Sequence, residues 1–170
     1  MFWKKKNEGT LFSKYYKELL KIANSSPLSN NAEYELLPAM YVVCDYAVAS
    51  AEKDRTKIAN ELIEQIDKIH HGFDRSSFDQ RCALYAMIIQ GKALRCEWWA
   101  SEDNHVFYTN AMTKCAALLC DILYNPECAD DYDTAPIIIG SAFENMNFIG
   151  SVVMPMVDKF VELFKAIYYV

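Results

Sequence analysis

Residues 78–99 read FDQRCALYAMIIQGKALRCEWW, from Phe78 to Trp99. Within them, Cys82 to Ile89 form an unbroken run of eight apolar residues. The run is too long and too poor in β-branched residues for a strand, and too short to span a bilayer. Ser77, with Gln80 three positions on, matches a capping box, in which each side chain satisfies a backbone N–H at a helix start. The pattern predicts a helix of about 22 residues, roughly 33 Å long at 1.5 Å per residue. A helix apolar on all sides at its centre must be enclosed by others. Phe78–Trp99 is therefore the expected core of an all-α domain.

Working outward, Thr10 is placed to cap a helix reaching about Asn24, with Phe12, Tyr15, Tyr16, Leu19, Ile22 and Ala23 along one face. Asn24 to Asn31, NSSPLSNN, is a cluster of turn formers. A second helix is expected over Ala32 to Ala51, with Pro38 in its first turn or at a kink. From Leu36 to Ala51 its only charged side chain is Asp45. Asp54 suits the N-cap of a third helix, Arg55 to His70, which Gly72 ends. Beyond the central helix, a helix over His105 to Tyr124 stops at Asn125-Pro126. Pro136 opens the next, which Gly150 or Pro155 interrupts. The last, from about Met156, repeats Val157, Phe160, Val161, Phe164, Ile167 and Tyr168 at i, i+3, i+4 spacing.

The expected fold is an all-α, single-domain bundle of six or seven helices, mostly antiparallel hairpins, over residues 10–170. Residues 1–9 read as a flexible basic arm. A short α-solenoid is the alternative architecture. Three hairpins, starting near Pro38, Phe78 and Pro136, suit it, but the Ala-Met that recurs at positions 39, 86 and 111 keeps no fixed period.

The chain of 170 residues has 17 basic and 23 acidic side chains, a net charge of −6. Without Lys4, Lys5 and Lys6 the balance is 14 against 23. Such a body repels phosphate backbones, and no Arg/Lys stripe lies on any predicted helix, which argues against nucleic-acid binding. It suits a basic protein partner instead. Phe2, Trp3 and the three lysines offer an anionic membrane only weak, reversible contact, at about 1 kcal/mol per basic residue. Pro136 to Val157 is apolar enough to raise a membrane span, but Glu144, Asn145 and Asn147 at its centre oppose insertion. The six cysteines, Cys44, Cys82, Cys96, Cys115, Cys120 and Cys128, show no C-x-x-C spacing. Most sit among apolar neighbours, so they read as buried thiols. MFWKKK runs into polar residues and carries no secretory signal, so the expected location is the cytoplasm.

Three constellations bear on chemistry. Glu102 with His105, and Asp67 with His70, have the Glu-x-x-His type of spacing used in di-iron bundles, with Asp45 and Glu144 as lone inward acids. Glu102 falls in a polar connection and Asp67 opposite its helix's apolar stripe, so no metal or other cofactor is expected. Asp45 and Glu144, each the lone acid in an apolar helix, need partners or a wet cleft. Arg81, Lys92 and Arg95 lie on one strip of the central helix, and Arg81 or Arg95, or a Tyr hydroxyl, is the expected partner of Asp45. The run from Glu127 to Asp133, with Asp130, Asp131 and Asp133, lacks the Gly and terminal Glu of a calcium loop and reads as an acidic surface loop. No nucleophile–base pairing is visible. The favoured function is a protein-binding module, of adaptor, inhibitor or immunity type, acting through an acidic, aromatic-rich surface. The alternative is a small-ligand-binding or metal-dependent helical enzyme with a pocket around Asp45 and Glu144.

Overall fold

The structure, a computed structural model, describes residues 9–26, 31–90, 111–124 and 149–169. These form six α-helices with no strand among the described residues: α1 (Gly9–Ala23), α2 (Ala32–Ser50), α3 (Arg55–Ile69), α4 (Arg75–Ile89), α5 (Ala111–Tyr124) and α6 (Met154–Tyr168). A π-helical turn, Ile149–Val153, leads into α6. The fold is an all-α bundle, as the periodicities predict. The 1–8 arm, all but Gly9 of the predicted basic segment, lies outside the described residues.

Among the described residues the core centres on α2 rather than on α4, the described part of the Phe78–Trp99 stretch. Helix α2 packs against α1, α3, α4, α5 and α6. Leu36, Leu37, Ala39, Met40, Val43, Cys44, Ala47 and Val48 are all buried on it. Helix α4 buries only Phe78, Leu84, Tyr85 and Ile88, and Ala83 in the middle of the apolar run is exposed. Small or unbranched residues (Cys82, Ala83, Ala86, Met87) tolerate partial exposure, so an unbroken apolar run does not require enclosure. Residues 91–99, the second half of the expected helix, lie outside the described residues.

The start of α4 also differs from the Ser77/Gln80 capping box. Asp74 is the N-cap, its carboxylate accepting from Ser76 N at 3.0 Å, Ser77 N at 3.5 Å and Ser77 Oγ at 2.7 Å. An ionised acceptor at the N-cap outcompetes a serine three residues later. Asp54 caps α3 as expected, accepting from Lys57 N at 3.1 Å. In α1 the predicted face is the buried one: Phe12, Tyr15, Tyr16, Leu19 and Ala23. Thr10 falls inside that helix instead of capping it.

At the predicted break Gly150 lies in the π-helical turn, where α-helical geometry is interrupted. Val153 has helical φ −64° and ψ −52°, so the backbone stays helical into α6, and Pro155 stands in the first turn of that helix. The stripe α6 buries is Met156, Val157, Phe160, Leu163 and Ile167, rotated from the expected one so that Phe164 and Tyr168 are half-exposed. Helix α6 lies against α1, α2 and α5, elements far away in sequence. Repeats of a solenoid touch only their neighbours, so the solenoid alternative is set aside. Among the described residues no helix is long and apolar enough to cross a membrane.

Candidate functional site

A cleft of about 370 Å³ opens where the first turns of α2 meet the α3–α4 connection and the start of α4. Its position follows from local backbone chemistry. Asn31, in the left-handed region at φ 52°, turns the chain into α2. Gly72, at φ 72°, turns it out of α3, a conformation glycine adopts without a Cβ penalty. Phe73 N donates to His70 O at 3.2 Å and closes that turn. Asp67, in the last turn of α3, accepts from Gly72 N at 3.1 Å and lies 3.3 Å from His71 Nδ1. Asp74 then caps α4. The short connection between the two helices is thus held at both ends by carboxylates.

Aromatic rings form the walls. Tyr34, 58% exposed, stacks on the imidazole of His70 with ring centres 4.3 Å apart and planes 18° from parallel. Phe73 meets Phe78 edge-on at 5.2 Å, and Tyr41 meets the same ring at 5.5 Å. Leu37 and Pro38 add apolar surface. Pro38 lies well inside α2, and as proline it has no N–H to offer the Tyr34 carbonyl one turn back.

Arg81 is matched within the cleft. Arg81 Nε donates to Glu35 Oε1 at 3.0 Å, both side chains being largely buried. The Gly72 N–H, followed by His71, holds the Asp67 carboxyl below its usual range. The Ser77 hydroxyl, with the Ser77 and Ser76 N–H groups, does the same for Asp74. Both stay ionised at neutral pH. The nearest thiol, Cys82, directs its S–H toward Pro38 O at 3.9 Å, and burial pushes it well up from the ordinary thiol range. A thiol so raised supplies little thiolate nucleophile. No group of three or more His, Cys, Asp or Glu side chains positioned to hold a metal occurs among the described residues.

The expected site residues scatter. Asp45 lies on the later half of α2, away from the cleft, and pairs with Arg55, while Arg81 pairs with Glu35. The Arg55–Asp45 contact is two-pronged: Nε to Oδ1 at 3.1 Å and Nη2 to Oδ2 at 2.6 Å. Burial of α2 is one-sided at this point, so Asp45 reaches the surface and takes the nearest base, at the start of α3. Arg81 does line the cleft, with Glu35 as its partner. Asp67 and His70 do not act together, since one caps the turn and the other stacks on Tyr34. Arg95, Asp130, Asp131, Asp133 and Glu144 lie outside the described residues, as do Glu102 and His105. Tyr34, Glu35 and Phe73 carry no local mark in the sequence that singles them out, and neither does His70 as a stacking group. The available signal was His70-His71-Gly72-Phe73-Asp74, a connection too short to bury its own aromatic residues.

A second exposed aromatic group lies near the other end of α2. Tyr46 packs against Phe164 at 5.6 Å, Phe164 stacks on Tyr168 at 5.6 Å, and Tyr168 meets Tyr169 at 4.9 Å. Comparison of the chain with protein-family models, with curated proteins and with solved structures finds no match.

Proposed function

We propose that the chain is a protein-binding module that docks a segment of its partner in the cleft between α2 and the α3–α4 connection. The observation that carries this reading is the Tyr34–His70 stack, a flat two-ring wall held in place while facing solvent. Aromatic side chains with fixed geometry supply large contact area at low entropic cost, which is why they anchor interfaces. The cleft falls near the lower end of the roughly 300–1,000 Å³ range of small-molecule sites, which suits one or two inserted side chains. A net charge of −6 favours a basic partner surface. The alternative, a ligand pocket around Asp45, draws no support from Asp45 itself, which is engaged by Arg55 at the surface.

Affinity capture from the native cell tests the reading with three baits: wild type, Tyr34→Ala/His70→Ala, and Tyr46→Ala/Tyr169→Ala. A partner held by the first and third baits and lost from the second is the expected result. Equal retention by the Tyr34→Ala/His70→Ala bait would overturn docking at the cleft.

A further inference from the structure

Two features of the cleft would ordinarily attract an anion, the N-terminus of α4 and the guanidinium of Arg81. The chain's own carboxylates occupy both: Asp74 accepts the first N–H groups of α4, and Glu35 accepts from Arg81. What the cleft still presents is the exposed ring of Tyr34, with the carboxylate of Asp74 in the same lining and that of Asp67 held on Gly72 N of the lining. Among the described residues that line the cleft, Arg81 is the one arginine or lysine, set against Glu35 and Asp74 in the lining and Asp67, which is bonded to Gly72 N of the lining. At the rim, Arg75 is paired with Asp79 and already rests over the Phe78 ring at 5.8 Å, a guanidinium on an aromatic face.

From this we infer that the cleft takes a cationic side chain, arginine or lysine, as the anchor of the segment it docks. The inference rests on the docking proposed above and names its chemistry. The stem of such a side chain lies along the Tyr34–His70 wall, and the charged head meets the ring face and the carboxylate lip. Ring quadrupole and carboxylates attract the same sign, so cation–π and Coulomb terms add. An acidic anchor would meet carboxylates at both places where it could otherwise be held.

The test is a titration of ¹⁵N-labelled protein with four acetylated, amidated pentapeptides, Gly-Gly-X-Gly-Gly with X arginine, lysine, leucine or glutamate. The arginine and lysine peptides are expected to shift the amides of Tyr34, Glu35 and residues 70–78, less so at high salt because the lip charges are exposed. Tyr34→Phe should retain that binding, and Tyr34→Leu should weaken it about fivefold, since leucine keeps apolar area but has no ring face. A leucine or glutamate peptide shifting these amides as strongly, or unchanged binding by Tyr34→Leu, would overturn the inference. Should capture of a partner still depend on Tyr34 and His70 in that case, cleft docking stands and only its cationic chemistry fails. Should capture be indifferent to both residues, the docking reading itself fails.

Discussion

Glu52 holds a backbone conformation that suits another residue. It follows the α2 C-cap, Ala51, at φ 54°, where Lys53 N donates to Val48 O at 3.0 Å and Glu52 N to Ala49 O at 3.1 Å. That bond pair is the Schellman ending, which glycine completes without a Cβ clash. Glu52→Gly is expected to raise unfolding free energy by about 0.5–1 kcal/mol, read as a higher urea midpoint at unchanged slope. At Asp45 the scale of the effect is set by exposure. The carboxylate is 29% exposed and its Arg55 partner 61%, so water screens the pair and Asp45→Ala should cost less than about 1 kcal/mol. A loss of several kcal/mol would mean that Asp45 is buried after all. Tyr85 is the opposite case, wholly buried with no hydrogen-bond partner for its hydroxyl among the described residues. Tyr85→Phe removes an unsatisfied polar group and keeps the ring. It should leave stability unchanged or raise it by up to about 1 kcal/mol, where the loss of a real hydrogen bond would lower it.

At the scale of elements, the joints between helices are made by single side chains that cross sequence distance. Lys53, just after α2, donates through Nζ to Ile167 O at 2.6 Å and Tyr168 O at 3.2 Å, closing the C-terminus of α6. A cation at that end also meets the negative pole of the helix. Lys53→Met keeps the stem and removes the donors, and should cost about 1–2 kcal/mol, with amide exchange accelerated first in the last turn of α6. If exchange rose evenly over the molecule, the contact would not be a local clamp. Such joints explain what was legible in the sequence. The positions of the described helices were, because 3.6-residue periodicity and the Asp54 and Gly72 signals are local. Run length points to α4 as the core, yet its eight apolar residues include small ones that sit partly exposed. The better signal was the near absence of charge from Leu36 to Ala51 in α2, which needs a buried surface over the whole helix rather than over two turns. The cleft was barely legible, since Glu35 and Arg81 stand 46 residues apart and no local pattern joins them.

At the scale of the whole molecule, burial has placed many proton-holding groups where their charged forms are disfavoured. Desolvation raises Tyr15, Tyr41 and Tyr85, pushes Tyr16 up to about 12, and lifts the thiols of Cys44, Cys82 and Cys115. Each of these groups is neutral in the fold at pH 7. Because its folded value lies above its unfolded one, the native state holds the proton more tightly. The stability this contributes is complete below the unfolded values, about 8.5 for a thiol and about 10 for a tyrosine, and is lost as pH rises beyond them. Lys159, raised by its bonds to Glu162 and Glu18, pulls the same way, its stabilisation disappearing as the ammonium deprotonates. Lys53, lowered by burial, runs opposite but is a single group. On the acid side, Asp67 and Asp74 are depressed, so what they contribute is present above about pH 4 and lost as pH falls through their folded values. The urea midpoint should therefore hold roughly level from about pH 5 to 8 and fall continuously from about pH 9 upward. Tyrosinate absorbance at about 295 nm from the buried set should appear together with the loss of helical circular dichroism rather than before it. A midpoint that stays level to about pH 11, with those tyrosines ionising in a folded chain, would show that the interior of the bundle is wetter than its packing implies.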